Sequence, residues 1–577
     1  MNILGLSWLS HDASAALVVG GRPIAMAEEE RFSRRKHDAS FPRHAIAFAL
    51  AQGGLVSADV DIVTVPYAPF LALTSRLEYA LANFGRDPAF LLRSLRSEWA
   101  HWRGLKAAVR VQFEHAGFPL SPKCRVFGLE HHLCHAASAY LASPFERAAI
   151  LSWDGRGEWP SLLRATGEGG RIEIIDRSFP PHSLGQFYES FTRHLGFGDF
   201  GDEYKVMGLA PYGSPDFAEA FRTLVRVVDG HPRIDPARWR YRAHRRNAGD
   251  GYRIAMEAVI GGPRRADEPL ADRHRAIAAS LQSRMNEVGV EIASALRRRT
   301  GMNDLCLTGG VAQNIVMNRH IFREAGFERV FVQPASHDGG LSLGGALLAA
   351  SRAGELKDRF VMRSAAWGPS FDPSAIEREL EACGLTYRKT GDPAGEAAAL
   401  LASGRVIGWF QGRAEFGPRA LGQRSILADP RHAGTRDLVN AKIKFREEFR
   451  PFAPAVLASR FDDYFAGAPA NPFMTFAADA RREKAGAMPA VVHVDGTARP
   501  QSVDPSHQPL FARLIGDFGD RTGVPVVLNT SFNVKGEPIV NSPTDAIRCF
   551  YSTGLDALIL EDCLLVKNDD APHAPSP

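Results

Sequence analysis

The chain has 577 residues and a formal net charge of +4, a length that excludes a single small module and a balance that marks no phosphate-binding face for nucleic acid. Hydrophobic residues make up 45% and charged residues 23%, and 53 Gly with 37 Pro are too few for a low-complexity chain. A folded protein of two to four domains is expected.

From the N-terminus, the β-type runs 3–7, 13–19 and 23–30 are separated by His11-Asp12 and by Gly20-Gly21-Arg22-Pro23, which predicts a meander of three strands. The start has no basic leader and no apolar run reaches about 18 residues, so neither a signal peptide nor a membrane span is expected. A helix is predicted over 41–54, and a helical insert near 70–115 carries aromatics and arginines. A second copy of the meander follows at 148–153, 161–166 and 172–176, with Asp154-Gly155-Arg156-Gly157 after its first strand. Two such copies predict a duplicated fold whose halves face one cleft. Beyond them come a long helix at 276–299, a strand, glycine turn and helix start over 304–318, and the turn His337-Asp338-Gly339-Gly340 before a helix over 341–354. Periodicity is lost around 352–372, which predicts a boundary and then an independent α/β unit. The six cysteines, at 124, 134, 306, 383, 549 and 563, form no C-x-x-C pair and suit a reducing, cytoplasmic setting.

His131 and His135 fall one turn apart on a predicted helix and can converge on a metal, with Asp154 and Asp338 completing an N/O set suited to iron, zinc or manganese. The plainer alternative is one core histidine, surface histidines and ordinary Asp-Gly turns. His11 sits in the first hairpin turn, where an imidazole can serve as general base near neutral pH. Gly309, Gly310 and Asn314 place backbone N–H groups where a phosphate or ribose can sit, and Lys205 is a further nucleotide contact or else a solvated charge. In the C-terminal unit, Arg413, Arg419 and Arg424 lie among glycines, and Lys444, Arg446 and Arg450 precede an apolar run. With Arg499 and the polar turn 529–533, that density favours an anionic ligand; ion pairing with Glu415, Glu447 and Glu448 is the alternative. Arg34-Arg35-Lys36 and Arg297-Arg298-Arg299 are expected to be solvated faces.

EERFSRRKHDASFP (29–42), EHHLCHAASAY (130–140), EYKVMGLAPYG (203–213), TGGVAQN (308–314), FGPRALGQRSI (416–426), FRPFAP (449–454) and NTSFN (529–533) together resemble the O-carbamoyltransferases of the nodulation-factor, cephamycin and tobramycin type. The matches run in order over nearly the whole chain. The resemblance implies an α/β protein: a duplicated actin-like (ASKHA, threonylcarbamoylation-subunit-like) N-terminal domain over 1–355, a linker at 356–370, a YrdC-like C-terminal domain over 371–567 and a disordered tail at 568–577. It implies that the C-terminal domain makes carbamoyl-adenylate from carbamoyl phosphate and ATP, and that the N-terminal domain passes the carbamoyl group to a hydroxyl of a small-molecule acceptor, such as an antibiotic, another secondary metabolite or a lipo-oligosaccharide. Carried over by motif, His131, His135, Asp154 and Asp338 hold a divalent metal, Fe2+ by the resemblance, and His11 is the base. Mg2+ accompanies ATP. Arg419, Arg424, Lys444, Arg450, Arg499, Asn529 and Ser531 form the carbamoyl phosphate and adenylate site. Loops 31–42 and 70–115 are expected to meet the acceptor. No nucleic acid or membrane partner is expected, and the assembly considered is a homodimer. A tRNA threonylcarbamoyl-type transferase and an actin-like ATPase or nucleotide-binding scaffold are the alternatives. The first gains no support from the +4 charge, and the second leaves the arginine-dense unit without a role.

Overall fold

The computed structural model describes residues 1–85, 88–198, 201–241, 252–444 and 446–567. The chain divides into two compact units, Met1–Ser33 with His37–Met362 and Arg34–Lys36 with the chain from Arg363 onward. The tail 568–577 lies outside the described residues.

In the first unit, β1 (Asn2–Ser7), β2 (Ser14–Val19), β3 (Arg22–Glu28), β4 (Ile62–Val65) and β5 (Arg125–Gly128) form a sheet in the order β3-β2-β1-β4-β5. A second sheet contains β6 (Arg147–Trp153), β7 (Leu162–Glu168), β8 (Arg171–Ser178), β9 (Asp304–Thr308) and β10 (Arg329–Val332) in the order β8-β7-β6-β9-β10. Each sheet is an antiparallel meander followed by two strands parallel to its first member. Both meanders turn from second to third strand through Gly-Gly pairs at positive φ, Gly20 and Gly21 at 54° and 80° and Gly169 and Gly170 at 54° and 78°. Two-residue turns of this kind match the right-handed twist of the strands they join. The repeated strand order is the duplicated, actin-like α/β arrangement anticipated above. β1 and β6 are nearly continuous buried runs, as central strands covered on both faces must be.

The helices of this unit that bear on the site are α1 (Arg43–Gln52), α2 (Leu73–Ala82), α3 (Phe90–His115), α4 (His131–Tyr140), α5 (Asp272–Thr300), α6 (Ile315–Glu324) and α7 (Leu341–Arg352). Helix α7 approaches α4 so closely that a Cβ on Gly344 would lie 1.8 Å from the Cys134 carbonyl oxygen. A Cβ on Gly5 of β1 would lie 1.9 Å from the Ser342 carbonyl oxygen. Any side chain at either position would push these elements apart, and that close packing holds the starts of α4 and α7 together beside the end of β1.

The second unit is built on β11 (Arg388–Lys389), β12 (Ile407–Phe410), β13 (Arg424–Ala428), β14 (Ala453–Leu457), β15 (Gln501–Val503), β16 (Val526–Ser531), β17 (Ala557–Leu560) and β18 (Cys563–Val566). They form one mixed sheet in the order β11-β18-β17-β12-β13-β16-β14-β15. Helices α8 (Pro373–Ala382), α9 (Pro393–Ala402), α10 (Pro509–Thr522) and α11 (Pro543–Tyr551) each begin on a proline, whose fixed φ and missing N–H suit the first helical position. Leu401, Leu514 and Ile515 of α9 and α10 pack with Ile407 and Val527 in one core cluster, and Ile376, Leu380, Ala546 and Phe550 of α8 and α11 pack with Ile426 and Leu528 in another. Each fully buried aliphatic or aromatic side chain contributes about 1.5–3 kcal/mol.

Arg34 belongs to this second unit and is not a solvated charge. Its guanidinium donates to the carbonyl oxygens of Ile539 and Pro538 at 2.6 and 2.8 Å and lies 3.2 Å from the Asp545 carboxylate. Carbonyls with no strand partner need donors, and Arg34 supplies them.

Candidate functional site

In the first unit the loops after β1, β6 and β9 carry His11, Asp154 and Gly309-Gly310. These are the carboxyl ends of parallel strands, where open α/β sheets place ligands. Helix α4 presents His131 and His135 on one face, and Asp338 immediately precedes α7. Close packing of the two helices therefore brings the four residues together. The His131 Nε2 atom lies 3.7 Å from Asp154 Oδ2 and 3.5 Å from Asp338 Oδ1, and His135 Nε2 lies 3.1 and 3.5 Å from the same two atoms. Two ligand atoms each about 2.0–2.2 Å from one cation lie about 2.8–3.6 Å apart at right or tetrahedral angles; three of the four separations fall in this range and the fourth, 3.7 Å, lies just above it, which suits a single metal ion. His131 Nε2 is also buried without a hydrogen-bond partner. Two imidazoles and two carboxylates form a set suited to a borderline divalent metal.

The electrostatics agree with a cation-seeking site. Burial works against the charge on His131, yet the Asp338 and Asp154 carboxylates outweigh it and push the imidazole up to about 9. Those carboxylates are held below their usual range by the same histidines. His132, between them in sequence, is a core histidine. It hydrogen-bonds Ser152 Oγ at 2.8 Å and the Pro160 carbonyl at 3.0 Å, and burial pushes it down to about 3.

His11 adjoins this cluster, with Nε2 3.8 Å from Asp338 Oδ2. Its Nδ1 is 2.8 Å from Asp12 Oδ2, and the other Asp12 oxygen is 2.7 Å from His37 Nδ1. Asp12 thereby fixes the His11 ring with Nε2 turned toward the cluster. Burial disfavours charge on His11, but Asp338 and Asp12 raise it to about 9.

The proposed nucleotide contacts divide. Gly309 and Gly310 stand against the cluster itself, where a Cβ on Gly309 would lie 2.1 Å from the Trp153 carbonyl oxygen and one on Gly310 2.9 Å from Asp154 Oδ1. The Asn314 side chain caps α6 by accepting from the Met317 N–H and exchanges hydrogen bonds with Gln282. Lys205 is held by Asp202 at 2.8 Å.

In the second unit, Lys444 ends the helical turn Asn440–Lys444 and points at the end of β16. Its ammonium donates to the carbonyl oxygens of Ser531 and Asn533, to Ser531 Oγ at 3.3 Å and to Asn533 Oδ1 at 2.7 Å. All four partners are neutral. Burial, then the charges of Arg446 and Arg450, hold Lys444 well below the usual lysine value. Arg499 is likewise depressed, by burial and by Arg419, Arg446 and Arg450, and its Nε has no hydrogen-bond partner. Asn529, whose Nδ2 donates to Gln501, keeps a buried unpartnered Oδ1. Among the described residues neither Lys444 nor Arg499 is paired with a carboxylate. The ion-pairing alternative applies to Arg450 with Glu447 at 3.5 Å. It fails for Glu415, whose carboxylate accepts the backbone N–H groups of Leu421, Gln423 and Arg424. The Arg424 guanidinium is fully buried, donates to the carbonyls of Gln411, Gln423 and Pro369, and stacks 3.5 Å over Phe410.

Residues 2–347 match the family described as Carbamoyltransferase N-terminus, and residues 398–567 match Carbamoyltransferase C-terminus. The chain belongs to the carbamoyltransferase family. An uncharacterized protein of Synechocystis is 38% identical to this carbamoyltransferase over 98% of the chain and 97% of its own length. Nodulation protein NolNO of Sinorhizobium fredii is 37% identical over 98% of the chain and 80% of its own, and nodulation protein NolO of Bradyrhizobium diazoefficiens is 42% identical over 76% and 79%. Among solved structures, the activator of the 2-hydroxyisocaproyl-CoA dehydratase from Clostridium difficile aligns with 62% of this chain and 99% of its own at a TM-score of 0.32 and 13% identity. That overlap is slight, and the fold assignment rests on the strand order.

Several residues that shape the carbamoyltransferase site carry no motif-level signal. Asp12 orients His11, and its adjacency to His11 in a turn was the available hint. Glu158 accepts the His131 N–H at 3.1 Å and the Ala68 N–H at 2.7 Å, securing the start of α4. Glu28 lies 3.0 Å from His337 Nε2, while His337 Nδ1 accepts from the Gly339 N–H, so the turn that carries Asp338 is fixed from β3.

Proposed function

We propose that this carbamoyltransferase is an ATP-dependent O-carbamoyltransferase whose second unit, of the YrdC-like kind, forms carbamoyl-adenylate and whose first unit transfers the carbamoyl group to an acceptor hydroxyl. The observation that carries the proposal is the pair Lys444 and Arg499, depressed by burial and by their like-charged neighbours and, among the described residues, unmatched by a carboxylate. Such a cluster lacks an anion, and carbamoyl phosphate is a small dianion. Lys444, Arg450 and Arg499, with Arg419, Asn529 and Ser531, hold it beside ATP, mainly by positioning and charge neutralisation. The atoms balance with one water: carbamoyl phosphate, ATP and water give carbamoyl-adenylate, pyrophosphate and phosphate. Mg2+ accompanies the triphosphate.

In the transfer step the acceptor oxygen bonds to the carbamoyl carbon, the bond from that carbon to the adenylate oxygen breaks, and AMP leaves with the electron pair. In its neutral form, which the Asp338 and Asp12 carboxylates disfavour below about pH 9, His11 takes the hydroxyl proton on Nε2, with Asp12 holding the ring in the required tautomer. His131, His135, Asp154 and Asp338 are the residues that would hold a divalent metal, Fe2+ by family resemblance, and a metal there supplies Lewis-acid stabilisation of developing negative charge. The test is to incubate the full chain with carbamoyl phosphate, ATP and a panel of hydroxylated metabolites, and to follow AMP, pyrophosphate and the carbamoyl mass increment. ADP as the nucleotide product would defeat the proposal.

A further inference from the structure

Helices α2 and α3 form a hairpin whose inner faces are buried and whose outer faces are apolar. Leu77, Leu81 and Phe84 are exposed along the first helix and its end, with Leu81 at 68% and Phe84 at 64%; Leu92, Trp99 and Trp102 are exposed on the second, with the tryptophans at 52% and 56%. With Leu95, exposed between them, the α3 positions 92, 95, 99 and 102 recur at three- and four-residue spacing, so they share one side of the helix. The buried side is separate: Phe90, Ser94, Glu98, Leu105 and Val109 face inward. An apolar stripe of this size, on top of a complete buried face, marks an interaction surface.

The charges beside the stripe indicate what covers it. Arg93, Arg96, Arg103 and Lys106 are exposed on the same helix, whereas of its acids Glu98 is buried against Arg76 at 2.9 Å and Glu114 is exposed only at the far end, beyond the stripe. Among the described residues of the hairpin's facing stretch, Glu78 is the exposed acid on α2. Leucine and tryptophan bordered by arginine and lysine on an amphipathic helix are the composition of a segment that lies in the interface of an anionic bilayer. A second copy of the chain fits less well, because a two-fold contact presents the same patch from both sides, and a patch rimmed mostly by arginine and lysine offers itself few acids. A small ligand also fits less well, since side chains exposed by half or more line no cleft.

We infer that the α2–α3 hairpin docks this protein on the surface of an anionic membrane, with Trp99 and Trp102 as interfacial anchors. No helix among the described residues is long and apolar enough to span a membrane, so the contact is peripheral. The two indoles lie 5.2 Å apart, and Phe70 is 6.3 Å from each. The hairpin is braced against the loop before β7: Ser75 Oγ accepts from the Trp159 indole at 3.1 Å, and Arg76 donates to the Glu158 carbonyl oxygen at 3.1 Å. Glu158 in turn secures the start of α4. Docking therefore anchors the element that carries His131 to the lipid surface. The inference stands whether or not the carbamoyl-adenylate chemistry proposed above is correct.

The experiment is flotation of the full chain with vesicles of phosphatidylglycerol or of phosphatidylcholine at low and high salt, alongside size determination in their absence. Binding to phosphatidylglycerol should exceed binding to phosphatidylcholine by about tenfold or more at low salt and fall as salt rises. The double substitution Trp99→Ser with Trp102→Ser should cut it by about tenfold or more, and Leu81→Ser with Phe84→Ser, on the other helix, should weaken it in the same sense. Unchanged thermal melting establishes that each variant is folded, and the wild-type salt and lipid dependence needs no variant. Failure of the wild type to float with phosphatidylglycerol overturns the inference. So does flotation that both double variants retain, or a dimer that these variants dissociate without any lipid binding.

Discussion

Replacing Arg499 with methionine removes a cation that, among the described residues, no carboxylate balances, while keeping most of the side-chain volume. A hydrogen bond from a charged donor to an anion contributes about 1.5–3 kcal/mol, so carbamoyl phosphate should bind about 10- to 150-fold more weakly. Stability converts this into a direct signal. At a ligand concentration about 100 times the wild-type Kd, binding stabilises the wild type by about 2.7 kcal/mol, and at the same concentration the variant should gain only about 0.3–1.4 kcal/mol. The ligand-free variant should be at least as stable as the wild type, because Arg419, Arg446 and Arg450 oppose the Arg499 charge. Thermal and urea unfolding with and without carbamoyl phosphate measure both quantities. A variant that keeps the full ligand-induced gain, or one that is several kcal/mol less stable without ligand, would refute the idea that Arg499 waits for an anion.

Three further outcomes are expected. His135→Ala should lose the tightly held divalent metal, while His132→Gln, altering a histidine that serves the core, should keep it; elemental analysis showing equal metal in all three proteins removes the site. His11→Ala should slow transfer to the acceptor by about a hundredfold to ten-thousandfold while pyrophosphate release continues; loss of both activities would place His11 in nucleotide activation. Glu203, raised to about 7 chiefly by burial, favours the folded state fully below about pH 4.5, and that contribution disappears as pH climbs through 7. Glu203→Gln should therefore stabilise the protein by about 1–2 kcal/mol at pH 8, after allowance for partial exposure, and by close to zero at pH 4. Urea unfolding at the two pH values decides it, and an equal effect at both would contradict the sign.

The elements that position the site were legible because their signals are local. Gly20-Gly21 and Gly169-Gly170 mark hairpin turns by backbone sterics alone, and the spacing of His131 and His135 places both on one helical face wherever that helix packs. What the sequence does not show are contacts with partners distant along the chain. Nothing near Arg424 signals that carbonyls of Gln411 and Pro369 absorb its donors, and nothing near Asn314 signals Gln282. Arg34 looked solvated since its acceptors lie about 500 residues on, at Pro538 and Ile539. The outer face of α3 was visible as aromatics and arginines in the insert near 70–115, but sequence alone does not separate it from the inner face that Phe90, Leu105 and Val109 bury.

The most direct test of the account follows ATP labelled separately in its α- and γ-phosphates, with the purified full chain and carbamoyl phosphate. The α label should emerge in carbamoyl-adenylate, and in AMP once the carbamoyl group is transferred or hydrolysed off, and the γ label as pyrophosphate, only when carbamoyl phosphate is present, and all should fall sharply in Arg499→Met. Release of the γ label as inorganic phosphate with ADP left behind would contradict the account and make the protein an ATPase of the actin-like kind.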